Sequence, residues 1–435
     1  MARLPLEGIR VVDITVIYAG PFATMNLADW GAEVVRVESI KHFQVLTRGG
    51  MAHPPQEIVS NPTRTGGLAT YCGRDVSFRP WNRWTLFNAH ARNKLGCTMD
   101  LTQPRGKELF KRLIAVSDVF LESNAPHVVE NMGLTYDVLK DVNPRLIMLS
   151  MPGFGSTGPN RYYRALGVHQ EAFIGHTHLR GYPDSDPSAT STLYHADEAS
   201  GATAALAVLM ALHYRNRTGK GQYIDMAQAE ATMPHLGEAI MDYTMNRRVQ
   251  NSMGNRLPGA APCGCYRCQG EDRWINITVF TDEEWQGLCR AMGSPEWTGD
   301  ERLASRPGRE ARQDELDPLI EEWTRQHNHY ELMFLLQSEG VPAGPVIFED
   351  DAYDDPHLNE RGFFQEVTHA ECGTHLYPTF GYRMSKTPNS IRRPPVRLGE
   401  HNEYVYKEIL KVSDEEYRQL EEEGHIGMDY APEIP

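Results

Sequence analysis

Apolar and polar positions along the first half of the chain fall into two alternating rhythms. Short apolar and β-branched runs at Ile9–Ile14, Gly31–Glu38, Gly96–Leu101, Asp118–Leu121, Pro144–Ser150 and Tyr223–Met226 read as strands. Between them lie stretches with helical composition: Phe22–Trp30 with Pro21 near its start, Pro104–Val116, and the Ala, Leu and Met run Ala204–Leu212. Strand, Gly20-Pro21 turn, helix and strand within residues 9–38 make one βαβ unit, whose crossover is right-handed. The continued alternation predicts an α/β fold with a parallel sheet and helices on both faces. Open sheets of this kind bind ligands beyond the carboxyl ends of their strands. Ile17, Tyr18 and Ala19, in the loop after the first strand, are therefore binding candidates.

Two stretches break the rhythm. Gly49–Trp84 is rich in Pro, Gly, Ser and Asn but also carries Tyr71, Phe78, Trp81 and Trp84, which argues against disorder and for either a lid or pocket wall or simple surface packing. Asn251–Gly270 is rich in Gly, Pro and Cys and reads as a linker or flap. A strand at Trp274–Val279 and polar helical segments to Glu339 follow, and Gly340–Val346 marks a return. The stretch Ala227–Asn246 predicts one long helix.

Composition narrows the function classes. With 435 residues, two domains are expected. The net charge of −15 excludes a general nucleic-acid or membrane-surface binder, though not a local basic pocket. Seven cysteines, an odd number, suit a reducing compartment. Cys263, Cys265 and Cys268 cluster, but no second Cys or His pair follows at zinc spacing, so no metal is expected. The opening Met-Ala-Arg-Leu-Pro-Leu-Glu-Gly lacks the apolar core of a signal peptide, so the expected location is cytoplasmic.

Three motifs carry possible chemistry. Gly153-Phe-Gly-Ser-Thr-Gly158 matches a dinucleotide fingerprint, but Pro159 and Asn160-Arg-Tyr-Tyr follow where that turn needs a helix. Lys220, in the basic turn Arg215–Gln222, lacks phosphate-loop spacing and reads as a helix stop. Asp197 stands where the apolar helix begins, and Gly201 lets another group approach that backbone. Asp197 is then either a reacting carboxylate or, with Ser200, merely a helix N-cap.

Several segments taken together resemble the class III coenzyme A transferases, the carnitine and bile-acid CoA-transferase family. These are Pro5–Asp13 with Ala19-Gly-Pro21, Leu27–Glu38, Asn93-Lys94 with Met99-Asp-Leu101, and Asn143-Pro144-Arg145. Gly153-Phe-Gly155, Ala196-Asp197 with Ser200-Gly201, Arg217–Gln222, Gly340–Pro345 and Leu398–His401 complete the set, over roughly residues 5–425. The resemblance implies a Rossmann-like large domain built from both chain ends (1–228 and 340–435) and a smaller central α+β domain (229–339). It also implies an interlocked dimer, either a homodimer or a hetero-oligomer with a related subunit.

The activity it implies is exchange of coenzyme A between an acyl-CoA and a carboxylic acid, with no resident cofactor. Asp197 would be the nucleophile. Attack on the thioester would give an aspartyl anhydride and then an aspartyl-CoA thioester. For coenzyme A the match carries over Ile17, Tyr18, Ala19, Met99 and Asn124, with Arg92 and Lys94 added as phosphate partners on charge alone. Gly259 and Ala260 fall in the family's mobile flap, which would exclude water. Ser39, followed by Lys41, and Asn131 stand where relatives often carry arginine. The rival on this fold is an α-methylacyl-CoA racemase. It needs a second proton-transfer group, a His that would align with Leu166, and the nearest one is His169. The aromatic 49–84 segment hints at a bulky or aromatic acceptor acid, with succinyl-CoA as donor.

Overall fold

The structure is a computed structural model that describes residues 3–61, 71–189 and 194–435. The middle of the 49–84 segment and residues 190–193, shortly before Asp197, lie outside these. Six strands are β1 (Arg10–Asp13), β2 (Glu33–Glu38), β3 (Leu95–Thr98), β4 (Val119–Glu122), β5 (Ile147–Ser150) and β6 (Gln222–Asp225). They pair in parallel in the order β3-β2-β1-β4-β5-β6. That is the order of a doubly wound Rossmann sheet, with its switch point between β1 and β4.

Successive strand residues point to opposite faces, so each strand feeds two cores. Val12, Phe120 and Met148 face one side, where helix α2 (Pro104–Ala115) supplies Leu109, Phe110 and Leu113. Val405, Tyr406 and Leu420, from the far end of the chain, close the same core. The Tyr406 hydroxyl donates to the Thr98 carbonyl at 2.8 Å, which fastens that end to β3. Val11, Val119, Leu121, Ile147 and Leu149 face the other side, onto α1 (Ala19–Asp29) and later helices.

On that second face α3 (Gly167–Phe173) precedes the longest helix, α4 (His195–Thr218), which ends on Gly219 at φ 77°. Apart from Arg215, the buried residues of α4 are small or aliphatic after its first turn, among them Gly201, Ala204, Val208, Ala211 and Leu212, so α1 packs closely against it. The long helix expected over Ala227–Asn246 is broken. It runs as α5 (Gln228–Thr232), a 3-10 turn at Met233–Leu236 containing Pro234, and α6 (Gly237–Asn246). Proline has no N–H to donate and clashes with the preceding turn, which explains the break.

The chain divides into two compact units, one of residues 1–176, 192–245 and 363–435, the other of residues 177–191 and 246–362. The second holds an antiparallel sheet of β7 (Cys263–Arg267), β8 (Trp274–Thr278) and β9 (Ala343–Val346). Ile275, Ile277, Trp285, Leu316, Ile320 and Leu332 fill its core. In the first unit, residues 364–369 and 373–378 form the hairpin β10–β11. Among the described residues no helix is long and apolar enough to cross a membrane.

Candidate active site

Within the first unit a cleft of about 410 Å³ opens at the carboxyl ends of β1 to β4. Its size suits a small-molecule site, and its place is where doubly wound sheets hold ligands. Ile17, Met99 and Asn124 line it, joined by Ser39, His42 and Thr102. Ile17 has φ +64°, a conformation that β-branched residues rarely adopt. The turn is held there by a hydrogen bond from the Ile17 N–H to the Thr47 hydroxyl at 2.7 Å. Such strain persists only where the surroundings enforce it, and it concentrates at functional sites.

Glu122 ends β4 beside this cleft and accepts the Asn124 N–H at 2.8 Å. Burial pushes its carboxyl up to about 7. The same β1–α1 loop leads from the cleft to Asp197. Tyr18 precedes α1, stacks on Tyr194 at 4.8 Å between centroids, and donates to Glu198 at 3.2 Å. The N–H of Ala19, the first residue of α1, donates to the Asp197 carboxylate.

Asp197 is the third residue of α4, whose N-cap position is Tyr194, so the cap reading fails. Its carboxylate satisfies an unpaired amide of α1 instead of one of its own helix. It is 7% exposed and, among the described residues, has no ion-pair partner. Burial first, and then the nearby charge of Glu171, raise its carboxyl to about 7. Gly167 lies directly against it: a Cβ there would sit 1.9 Å from Asp197 Oδ2. Gly201 has the role expected of it, since a Cβ there would meet the Ala19 carbonyl at 2.6 Å. Gly167 and Glu171 went unnoticed in the sequence, where the shift from Leu166 to the following Gly was the one available signal.

The structure does not bring Arg92 or Lys94 to the cleft. Arg92 is buried and pairs with Asp29 at 2.8 Å, while also donating to the Pro378 carbonyl. Lys94 is 1% exposed, 3.3 Å from Asp13, and donates to the Thr24 hydroxyl at 2.7 Å. Lys94 serves the interior beside β1, and Arg92 ties the end of α1 to the end of β11. Lys41, by contrast, is exposed next to the lining residues Ser39 and His42, its ammonium on the Glu423 carbonyl at 2.6 Å. Gly259 and Ala260 belong to the second unit, where the Gly259 N–H donates to Glu310 at 3.1 Å and Ala260 is buried.

Tyr71, Trp81 and Trp84 of the aromatic segment are buried in two small clusters, and Phe78 is exposed. The helix that follows the glycine motif in the chain begins only at Gly167, well past Gly158, and the first amides of α5 that reach the motif are taken up by the Pro152 and Gly153 carbonyls, at 3.2 and 3.0 Å.

A family model for CoA-transferase family III matches residues 6–402. The succinyl-CoA–D-citramalate CoA-transferase of Chloroflexus aurantiacus is 32% identical over 417 residues, spanning 96% of this chain and 97% of that protein. The formyl-CoA:oxalate CoA-transferase of Streptomyces coelicolor is 30% identical over 441 residues, spanning 98% and 100%. Among solved structures, a CAIB/BAIF family protein from Brucella suis matches with a TM-score of 0.80 at 29% identity, covering 94% of this chain and 100% of that one. The sheet order, the cleft at its switch point and these full-length similarities agree: the chain belongs to CoA-transferase family III and is a CoA-transferase.

Proposed function

We propose that the chain moves coenzyme A from succinyl-CoA to a carboxylic acid, with Asp197 as the nucleophile. The observation that carries this is the buried Asp197 carboxylate in the first turn of α4, without a cationic partner among the described residues and next to Ala19, which follows the loop that lines the cleft. A carboxylate oxygen attacks the thioester carbonyl and coenzyme A leaves as thiolate. The thiolate then attacks the aspartyl carbonyl, releasing the donor acid and leaving an aspartyl-CoA thioester. The acceptor carboxylate attacks that thioester, and the returning thiolate takes the acceptor's acyl group. One thioester replaces another, so no outside energy source enters.

The Ala19 amide, at the positive end of α1, is placed to hold charge on the aspartyl carbonyl oxygen. Ile17, Met99 and Asn124 hold coenzyme A in the cleft, and Lys41 replaces Arg92 and Lys94 as the cation to test against its phosphates, with the His42 ring beside it. Gly259 and Ala260 keep the role of water-excluding flap that the resemblance implies.

Succinyl-CoA is the donor named for the transferases from Chloroflexus and for human succinyl-CoA:glutarate CoA-transferase. Citramalate, malate and glutarate are therefore the first acceptors to try. Burial of Tyr71, Trp81 and Trp84 removes the support for a bulky aromatic acid. Racemase chemistry finds no second acid–base group at the expected place. Gly167 faces Asp197 there, and exposed His169 is occupied by the Leu166 N–H at 3.0 Å.

The test is a panel of carboxylates with succinyl-CoA, followed by trapping with hydroxylamine and mass spectrometry. The expected result is donor-dependent modification of Asp197 and loss of transfer in Asp197→Ala. Full activity with an unmodified Asp197 would refute the mechanism.

A further inference from the structure

We infer that Glu171 is a positioning residue that drives acylation of Asp197 through its buried charge, an inference that rests on Asp197 being the nucleophile. Glu171 lies one turn after Gly167 on α3, so both share the face turned toward α4. Its side chain is 1% exposed and anchored at both oxygens. Oε1 accepts the N–H of Ala196, the residue before Asp197, at 3.2 Å. Oε2 lies 3.1 Å from Nδ1 of His176. The His176 ring is 5.3 Å from that of His195, whose Nε2 meets Nδ1 of His235 at 3.0 Å. Three imidazoles thus lead from the buried carboxyl to the surface at His235.

Among the described residues, the other titratable groups that act on Asp197 or feel its charge are Glu198 on α4, Tyr18 before α1 and Tyr194 before α4. The side of α5 packed here presents Gln228, which is neutral. Glu198 is exposed and takes the Tyr18 hydroxyl, which leaves Glu171 as the buried acid of the set.

Acylation changes the charge that Glu171 faces. When a carboxylate oxygen of Asp197 attacks the thioester carbon, a C–O bond forms and the C–S bond breaks. The electron pair departs on sulfur, and the negative charge moves from the Asp197 carboxylate to the thiolate, farther from Glu171. Repulsion from Glu171, little screened inside the protein, is thereby relieved. Protonation of Asp197 relieves the same repulsion. Whatever Glu171 adds to the proton affinity of Asp197 must reappear in the acylation equilibrium, tenfold for each pH unit. A residue serving only the fold would move neither quantity.

The experiment measures kcat/KM against pH, and the hydroxylamine-trapped fraction of Asp197 with succinyl-CoA or acetyl-CoA as probe. Glu171→Gln keeps an acceptor for Ala196, so its melting temperature is expected to stay near wild type. Its acid limb should move down by about one pH unit and its trapped fraction fall by about tenfold. Glu171→Asp keeps the charge while loosening the hydrogen bonds, so it should lower the rate but leave the acid limb in place. An unmoved limb in Glu171→Gln, a moved limb without matching loss of trapped enzyme, or an equal shift in Glu171→Asp would each overturn the inference. If Asp197→Asn turns over at the wild-type rate, the nucleophile reading beneath it fails instead. Wild-type labelling of Asp197 with an unmoved Glu171→Gln limb would overturn the role of Glu171 alone.

Discussion

Asp197 works against the stability of its own fold. Its carboxyl sits at about 7 in the native chain against an ordinary 3.8. Below pH 3.8 it is protonated in both states. Between there and pH 7 the unfolded chain releases the proton first, so stability falls as pH rises, and above pH 7 the loss is complete. Asp197→Asn cannot ionise and escapes this. It is expected to be inactive yet more stable than wild type by about 2–4 kcal/mol at pH 8, with the gap closing toward pH 4. Thermal unfolding across that range checks the sign: a variant less stable at pH 8 would mean that the carboxylate is a structural anchor.

Two glycines set how closely three helices meet at this residue. Gly201 lets α4 approach the start of α1, bringing the Ala19 N–H to Asp197, and Gly167 lets α3 lie against the carboxylate. A methyl at either place has backbone or carboxylate in its way, but the consequences differ. Gly201→Ala must part α1 from α4, so it is expected to cost about 1–3 kcal/mol of stability. Gly167→Ala meets a side-chain carboxylate that turns aside, so the fold should survive while kcat falls on the order of 10²-fold from misplacement of the nucleophile. Paired melting curves and steady-state kinetics separate the two. Equal effects of both variants on stability would show that Gly167 is a packing position only.

At the level of the whole molecule, α4 carries apolar side chains on a face that the described residues leave open. Leu206, Leu209, Met210 and Tyr214 are 56%, 41%, 61% and 46% exposed at helical spacing. A patch of this kind marks an interaction surface, and we take its occupant to be a second copy of the chain. Light scattering is expected to give twice the 49.2 kDa of one chain, and Met210→Glu to lower that mass. A monomeric wild type would sink the dimer.

The sequence by itself determined the sheet, because strand and helix periods and the Gly20-Pro21 turn are local properties that burial on both faces reinforces. It also located the β1–α1 loop and singled out Asp197, through helix-start chemistry and through resemblance spread along the whole chain. Only the tertiary structure decided where charges go. Arg92 and Lys94 look in sequence like free cations near a ligand, yet Asp29 and Asp13, far away in the chain, claim them in the interior. The aromatic segment showed composition without direction, and folding turned Tyr71, Trp81 and Trp84 inward. Glu171 and Gly167 stayed invisible for the same reason. Their places beside Asp197 and Ala196 come from packing of α3 on α4, and no local pattern encodes such a juxtaposition.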